Sequence, residues 1–490
     1  MGLNFPDLGI IGLYLAGVTL FGLRFRAGQR TLKGYFLADN TIPWWAISLS
    51  IVAAETSTLT VISVPGLAYD RDFSFLQLAM GYLIGRAVVS FVLIPQYFRG
   101  ELVTAYQLIE RRFGQRPRTL TAGVFLVTRA AAEGVRVFAV AIVVRVALGN
   151  LLTGVSDFQR DLVAIAIVIV LALLYTLKGG LKAAVWTDVM QQTVYVAGTV
   201  VGLVTILHLV PGGWATLREM AGHAGKFRVF DLTLNWTTKY TVWSGIIGGA
   251  FLTTASHGTD QLIVQRLLAA RSKGQAQLAL LSSGVVIFFQ FSLFLAIGAM
   301  LFVFYRIFPP QTAFTRTDTI FPVFIVNHMP HGVSGLLIAA ILAAAMSNLS
   351  AALNSLSSTV IVDFYMRLRP QSTEARRIRL SRTAMVVWAL VLFALALVAR
   401  SGGRVIEVGL TIASVAYGGM LGVFLLGALT RKATGRGAMV GMICGLALNL
   451  YLWLFTDVAF TWYVALGSAV TFAVGYAASL LMRKETLSTV

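Results

Sequence analysis

Charged side chains and cysteine are scarce in this chain. Asp, Glu, Lys and Arg make up 12% of its 490 residues, and Cys444 is the single cysteine. Soluble domains usually carry about 25% charged residues, so this composition excludes an ordinary soluble domain. One cysteine also excludes an intrachain disulfide.

The sequence also lacks the common signatures of enzymes and nucleic-acid-binding proteins. It has no HExxH helix, no Cys/His metal cluster and no phosphate-binding glycine loop, and its five histidines are scattered. No nucleophile, base and orienting group occur together at a recognisable spacing, so we do not expect an enzyme. No long basic segment is interleaved with aromatic residues, so we expect no nucleic-acid partner.

Hydrophobic residues dominate the chain instead. They make up 57% of it, the mean hydropathy is +0.80, and they recur in segments of about 20 residues, the length of a helix that crosses a bilayer. We therefore predict an all-α integral membrane protein in which residues 1–490 form a single polytopic domain. The predicted spans, about thirteen, run near 5–23, 43–69, 74–96, 120–149, 159–177, 183–210, 240–265, 275–305, 332–365, 380–399, 405–430, 436–455 and 460–482.

Basic residues outnumber acidic ones by 39 to 20, which gives a formal net charge of +19. Most of them fall in alternate loops between the predicted spans, as Arg111, Arg112, Arg376 and Arg377 do. Because cytoplasmic loops are enriched in Lys and Arg, this pattern predicts a multi-pass cell-membrane protein with the N-terminus outside and the C-terminus in the cytoplasm. The lipid bilayer, with its anionic inner leaflet, is the expected partner of this charge.

The second predicted span contains a polar island, SIVAAETSTLTVIS at residues 50–63. A carboxylate at bilayer depth costs several kcal/mol unless it faces a protein interior or a water-filled cavity. The hydroxyl and β-branched residues around Glu55 favour a break in the helix, and transporters use such breaks to hold ions and substrates. The alternative is an unbroken helix in which Glu55 pairs with an arginine of a neighbouring helix.

The seventh predicted span is interrupted in a similar way, by TTASHGTDQLIVQ at residues 253–265. Five spans separate the two interruptions, and two broken segments at corresponding positions indicate an inverted repeat around a central site. His257 lies beside the second break, where it either packs or contacts a substrate.

Three further spans carry polar residues at bilayer depth. Arg129, Glu133 and Arg136 share one face of the fourth span, so they form either a closed Arg–Glu–Arg ladder or part of a substrate or gating site. The ninth span carries a stripe of small and hydroxyl residues with Asn348 at its edge, which fits close helix packing or oxygen ligands for an alkali cation. Asp188 lies near one end of the sixth span and either holds a cation or pairs with nearby basic residues.

Four stretches of the chain carry more specific patterns: IPQYFRGELVTAYQLIERRFG (94–114), GGLKAAVWTDVMQ (179–191), GTDQLIVQRLLAA (258–270) and AAAMSNLSAALNSLSSTVIVDFY (343–365). In these the sequence resembles the sodium:solute symporter family, which includes sodium/glucose, sodium/proline and sodium/sialic acid cotransporters. The resemblance implies the leucine-transporter type of fold, with two inverted five-helix repeats and two broken helices. It divides the chain into an extra N-terminal helix (1–40), repeat one (41–210), repeat two (238–430) and two C-terminal helices (431–490).

The resemblance also implies a binding site. A sodium ion is expected at the backbone carbonyls of Ala53, Thr56 and Ala344 and at the side chain of Ser347. Asn348 stands where relatives commonly have a second hydroxyl residue, and its amide oxygen is the expected fifth ligand. The remaining expectations are a second sodium ion at Asp188, Ser347 and Ser350 and solute contacts from Glu55, Ser57, Gln77, Arg136, His257 and Gln261.

The function that follows is secondary active transport. We expect the sodium gradient (Na+ as the coupling ion) to drive symport of a small organic solute into the cell by alternating access, the solute being a sugar or polyol, an amino acid or a carboxylate. Two alternatives use the same scaffold. One is a proton-coupled carrier in which Glu55 titrates, and the other is a channel or a sensor.

Overall fold

The computed structural model describes residues 3–23, 38–99, 105–148, 154–175, 181–310 and 313–488. Throughout these ranges the regular structure is helical and no β-strand forms. A single isolated β-bridge joins Ile42, which precedes the first break, to Ala270, which follows the second. The all-α prediction is therefore confirmed.

The helices of the first half of the chain lead up to and away from the first break. Within the described residues they are α1 (Phe5–Leu23), α2 (Trp44–Glu55), α3 (Thr58–Asp70), α4 (Leu76–Val88), α5 (Ala105–Phe113), α6 (Gln115–Ala147), α7 (Asp157–Tyr175), α8 (Leu181–Leu209) and α9 (Gly213–His223). Helix α4 continues through a π-helical turn (Val89–Leu93) into the segment Ile94–Tyr97.

The helices of the second half contain the second break and the end of the chain. They are α10 (Gly248–Gly258), α11 (Gln261–Leu268), α12 (Lys273–Ile307), α13 (Ile320–His328), α14 (Val333–Thr359), α15 (Glu374–Ala399), α16 (Val405–Leu429), α17 (Gly435–Phe455) and α18 (Tyr463–Ser488). A π-helical segment (Val242–Ile247) leads into α10, and another (Val360–Tyr365) follows α14.

Within the described residues, each predicted span overlaps one long helix or a run of consecutive helical segments. Among the described residues, eight helical segments are long and apolar enough to cross a membrane, and α2 with α3 adds a ninth if the bent pair is one span. Helix α6 is long enough to cross but carries ionisable residues, including Arg129, Glu133 and Arg136, within its length. The count of thirteen and the boundaries of the two repeats stay predictions.

The two broken segments lie at the centre of the packing. Helices α2 and α3 pack on α12, and α10 packs on α4, while α14 packs on α6 and α8 and also contacts α3. The larger apolar cluster surrounds the first break with buried side chains such as Val52, Ile62, Phe138 and Leu349. The polar side chains of the breaks are therefore enclosed by apolar packing.

Glycines bring α4 against α10 backbone to backbone. A Cβ atom at Gly81 would overlap the carbonyl oxygen of Ile246, and one at Gly85 would overlap the carbonyl oxygen of Ala250. Small residues at such positions allow helices in a membrane to approach closely and pack tightly. We call this contact the glycine seam. It fixes α4 to the helix that ends at the second break.

Candidate functional site

The first break separates α2 from α3 at Thr56 and Ser57, where the helix axis bends by 65°. Ser57 adopts an extended backbone (ψ 170°), and its amide donates to the carbonyl oxygen of Glu55 at 2.9 Å. In a continuous helix that amide would donate to Ala53 instead. The break therefore releases the Ala53 carbonyl oxygen from the helical ladder.

The second break lies at Thr259 and Asp260, between α10 and α11. The Asp260 side chain caps α11 by accepting from the amide of Leu262 at 2.9 Å, and its other oxygen accepts from the Tyr417 hydroxyl at 3.0 Å. The Tyr97 hydroxyl donates to the carbonyl oxygen of Gly258, which ends α10. Side chains thus satisfy the helix ends that the break exposes.

A cavity of about 220 Å³ lies between the two breaks. Six of the predicted site residues line it: Glu55, Ser57, Arg136, His257, Ser347 and Asn348. Its other acidic and basic lining residues are Arg129, Asp260 and Arg266. Most of the remaining lining is apolar or aromatic, as expected of a small-ligand pocket with a few polar groups that orient the ligand.

Glu55 faces this cavity as a member of an ion pair. Arg86 of α4 is fully buried and donates to the Glu55 carboxylate and, at 3.1 Å, to the Ser283 hydroxyl. Arg86 also lies 3.2 Å from Nε2 of His257. Because a guanidinium can only donate, Nε2 accepts and Nδ1 is left to donate to the Ser256 hydroxyl at 2.9 Å. The sequence alternatives for Glu55 are therefore both partly right, since the helix is broken and the carboxylate is paired.

Arg129, Glu133 and Arg136 of α6 form the ladder that their spacing indicated. Glu133 is 1% exposed, and its Oε1 lies 2.9 Å from Arg129 and 3.0 Å from Arg136. Arg129 also lies 3.8 Å from Asp260, so the ladder reaches the second break. The Arg136 side chain is 30% exposed and lines the cavity. The ladder is thus structural at Glu133 and open to a ligand at Arg136.

The expected sodium ligands lie around the first break and on α14. Ser347 and Asn348 line the same cavity as Ala54 and Ser57, and Asn348 also borders a small cavity of about 20 Å³ with Ser57. Ala53 and Ala344 are buried. Among the described residues no three His, Cys, Asp or Glu side chains cluster as a metal site. A cation here would be held by carbonyl, hydroxyl and amide oxygens, the ligands that alkali cations use.

Asp188 lies elsewhere, in a buried network with the second broken segment. Its carboxylate accepts from the Ser50 hydroxyl at 2.6 Å and from Arg266 of α11 at 3.0 Å, and Arg266 also donates to Ser50 at 2.8 Å. These partners are neither Ser347 nor Ser350. In this arrangement Oδ2 of Asp188 already has Ser50 and Arg266 as partners, and the second sodium site stays a prediction.

Two of the expected solute contacts lie outside the cavity lining. The Gln77 amide donates to the carbonyl oxygens of Ser74 and Tyr240 and accepts from the amide of Asp231. Hydrogen bonds from the hydroxyl and then the amide of Thr233 lower the pKa of Asp231, which lies in the loop before α10. Gln77 therefore holds a loop against α4.

Gln261 also serves a structural contact. Its side-chain oxygen accepts from the amide of Ala105 at 2.7 Å and so joins α11 to the start of α5. The sequence analysis assigned no site role to Arg86 or Arg266. Each is an arginine inside or beside an apolar segment, and that placement was the available signal.

A sequence model of the sodium:solute symporter family matches residues 35–445. The chain belongs to the sodium:solute symporter family. It is similar to the sodium/sialic acid symporter NanT of Aliivibrio fischeri, with 28% identity over 488 residues that cover 96% of this chain and 93% of NanT. It is also 28% identical to the human sodium/iodide cotransporter over 455 residues, which cover 91% of this chain and 69% of that one.

A solved structure agrees with these sequence comparisons. The substrate-bound outward-open state of a Na+-coupled sialic acid symporter superposes with a TM-score of 0.82 and 28% identity, covering 98% of each chain. The leucine-transporter type of fold is therefore confirmed. This family member is a multi-pass membrane protein that couples the symport of a small organic solute to sodium, and it is a transporter rather than an enzyme.

Proposed function

We propose that this symporter imports a small organic monoanion that carries a carboxylate, together with one sodium ion. The observation that carries the proposal is Arg136, a partly exposed guanidinium in the cavity wall that shares one carboxylate oxygen with Arg129. A guanidinium binds a carboxylate in a bidentate, charge-assisted geometry. Arg136 is thus the cation of the site best placed to bind a solute anion.

The charge balance of the site supports an anion. The arginines of the cavity wall and its ion pairs are Arg86, Arg129, Arg136 and Arg266, and the carboxylates are Glu55, Glu133, Asp188 and Asp260. These charges cancel before any ligand binds. A sodium ion adds one positive charge in a site of low dielectric constant, and a monoanion restores neutrality.

Glu55 is assigned a hydrogen-bonding role in this proposal. Arg86 is already the counter-ion of the Glu55 carboxylate, so the carboxylate attracts a solute amine only weakly. The same ion pair keeps Glu55 charged, so in this proposal Glu55 does not carry a proton across the membrane. A carboxylate oxygen can still accept from a solute hydroxyl. A hydroxylated carboxylate therefore fits better than an amino acid or a neutral polyol, and the symporters of sialic acid and of iodide among its relatives also carry anions.

The proposed sodium ion joins the first break to α14. Its ligands are the carbonyl oxygens of Ala53, Thr56 and Ala344 with the side chains of Ser347 and Asn348. A bound ion holds the break against α14 and so completes the solute cavity. Sodium and solute then favour the same state, and each raises the affinity of the other by the same factor.

Alternating access completes the proposed cycle, with the N-terminus outside and the C-terminus in the cytoplasm. A cluster of aromatic side chains covers the cavity near Leu76, the first residue of α4. The ring centroid of Phe75 lies 5.4 Å from that of Phe291 and 5.3 Å from that of Tyr240. The cavity extends the other way, toward Tyr106 and Ala184, which this orientation places on the cytoplasmic side. The aromatic cluster is thus the proposed outer gate.

Thermal unfolding of the purified protein in detergent tests the proposal, because a ligand that binds only the folded state raises the melting temperature. Sodium is compared with potassium at equal ionic strength. Each is then combined with a short hydroxycarboxylate, its primary amide, a polyol or an amino acid. We expect a sodium-specific rise, and a further rise from the carboxylate that requires sodium.

The arginine variants then locate the anion. Arg136→Gln is expected to lose the carboxylate effect and keep the sodium effect. Arg145→Gln is the matched control, since Arg145 lies on the same helix but pairs with Asp157 and Asp161 outside the cavity. A carboxylate and its amide that stabilise equally would contradict the proposed substrate class. An Arg136→Gln protein that keeps the full carboxylate effect would contradict the assigned residue.

A further inference from the structure

Two buried glutamines contact the first break from outside the solute cavity. The Thr56 hydroxyl donates to Oε1 of Gln290 on α12 at 3.3 Å, and the same oxygen accepts from Nε2 of Gln192 on α8 at 2.7 Å. All three residues are buried, and neither glutamine lines the cavity. One amide oxygen thus joins the break to two of the helices around it.

Packing alone does not account for these glutamines. Nε2 of Gln290 and Oε1 of Gln192 have no partner among the residues that the structure describes. Polar atoms buried without a partner cost free energy, so apolar side chains would fill this space at a lower cost. The two amides are better explained by the group that they hold, the Thr56 hydroxyl.

Tyr195 makes a comparable contact further along α8. It is fully buried, and its hydroxyl donates to the carbonyl oxygen of Ala340 on α14 at 3.2 Å. Because a carbonyl oxygen has two lone pairs, it can also accept the helical hydrogen bond from the amide of Ala344. Tyr195 therefore contacts the turn of α14 that ends at Ala344, one of the proposed sodium ligands.

The two contacts come from one face of one helix. Gln192 and Tyr195 are three residues apart, so their side chains are neighbours on the surface of α8. Helix α8 packs on α2, α12 and α14. It therefore reaches both sides of the proposed sodium site, the first break through Gln290 and α14 through Ala340.

We propose that Gln290, Gln192 and Tyr195 are positioning residues that set the distance between the two sides of the sodium site. This inference rests on the sodium site of the proposed function, and none of the three is a ligand of the ion. Gln290 holds Thr56, Gln192 fixes the orientation of the Gln290 amide, and Tyr195 holds the facing turn of α14. Ligands that are held in place before the ion arrives bind it more tightly, because less ordering is required on binding.

A sodium titration of the melting temperature in detergent tests this role. Potassium keeps the ionic strength constant, and the dependence on sodium gives the sodium Kd of each variant. A general loss of stability lowers the melting temperature in both salts, whereas a loss of positioning lowers the difference between them.

Gln290→Leu should raise the sodium Kd roughly five- to tenfold, the factor that one hydrogen bond typically contributes. Gln277→Leu is the matched control and should leave the sodium Kd unchanged. Gln277 lies on the same helix, and its amide donates to the carbonyl oxygen of Ser90 in the π-helical turn after α4.

Gln290→Glu distinguishes positioning from packing. Its carboxyl group keeps an oxygen that accepts from Thr56 and Gln192, and a negative charge near the ion favours the cation. We expect a sodium Kd equal to that of the unchanged protein or lower. A packing role predicts the reverse order, because a buried carboxyl group destabilises more than a leucine. A Gln290→Glu protein that binds sodium as weakly as Gln290→Leu would overturn the assignment.

Tyr195→Phe removes one hydroxyl and should also raise the sodium Kd several-fold. Tyr305→Phe is its control, since the hydroxyl of the buried Tyr305 donates to the carbonyl oxygen of Ile320. The effects of Tyr195→Phe and Gln290→Leu should add, because they act on different sides of the site.

Two results would contradict the inference in distinguishable ways. A sodium Kd that is unchanged in either Gln290→Leu or Tyr195→Phe would overturn the positioning role and leave the proposed sodium site in place. The absence of a sodium-specific rise in the unchanged protein would overturn the proposed sodium site, and the positioning role with it.

Discussion

Arg86 and Glu55 form an ion pair that joins α4 to the end of α2 directly beside the first break. The guanidinium is fully buried, whereas the carboxylate keeps 15% exposure toward the cavity. The pair therefore presents a carboxylate to the solute site while its counter-ion stays behind the cavity wall.

Arg86→Met should lower the free energy of unfolding by about 3–5 kcal/mol, because it leaves a buried carboxylate without its partner. Glu55→Gln should also destabilise by stranding the guanidinium. The double variant should lose clearly less than the sum of the two single variants, as measured by denaturant unfolding in detergent. Additive losses would mean that the two side chains do not interact energetically.

Ser347→Ala and Asn348→Ala should each abolish most of the sodium-specific stabilisation. With sodium at about 100 times its Kd, that stabilisation is about 2.7 kcal/mol in the unchanged protein. Asn348→Ser should keep a sodium response, because it restores the second hydroxyl typical of the family. Ser358→Ala is the control on the same helix, at an exposed position. An unchanged sodium response in both alanine variants would place the ion elsewhere.

Sodium should activate uptake hyperbolically, with a Hill coefficient of about one. The reason is that Oδ2 of Asp188 accepts from Arg266 and Ser50, and the arginine neutralises the charge that a second ion would use. Initial uptake rates in proteoliposomes, measured over a range of sodium concentrations, check this. A sigmoidal curve that becomes hyperbolic in Asp188→Asn would restore the second sodium site that the family resemblance implied.

Phe291→Ala should open the cavity to the outside, because Phe291 contacts both Phe75 and Tyr82 in the proposed outer gate. A cysteine at Ala413, which lines the cavity, reports access when Cys444 is replaced by alanine. In sealed vesicles, labelling from outside by a membrane-impermeant maleimide should rise several-fold. Phe289→Ala is the control, since Phe289 lies two residues away and is 68% exposed. Equal labelling in the two variants would exclude Phe291 from the gate.

The sequence predicted both breaks because their signals are local. Hydroxyl and β-branched residues around Glu55, and the glycine between His257 and Thr259, each lower the stability of a continuous helix within one turn. The ladder on α6 was also readable, since residues at i, i+4 and i+7 share a face whatever surrounds the helix.

The sequence did not predict which side chains pair between helices that are distant in the chain. Arg86 lies 31 residues from Glu55, and Arg266 lies 78 residues from Asp188, so both ion pairs depend on how distant helices pack. Gln261 directly follows the second break, and yet its side chain accepts from a backbone amide at the start of α5. Gln77 lies on α4, where its side chain donates to a loop carbonyl oxygen. Proximity in sequence to a break therefore predicts a polar environment and not which side chains reach the solute.

The glycine seam has an electrical consequence. It fixes α4 to α10, so that Arg86 and His257 move together, and the ion pair holds Glu55 to the same unit. In the proposed cycle the charge of Glu55 is then matched by Arg86 of the same unit, so this pair adds no net charge to the return of the empty carrier. A sodium ion and a monoanion that cross together also cancel. Such a cycle is electrically silent, and the membrane voltage neither drives nor opposes it.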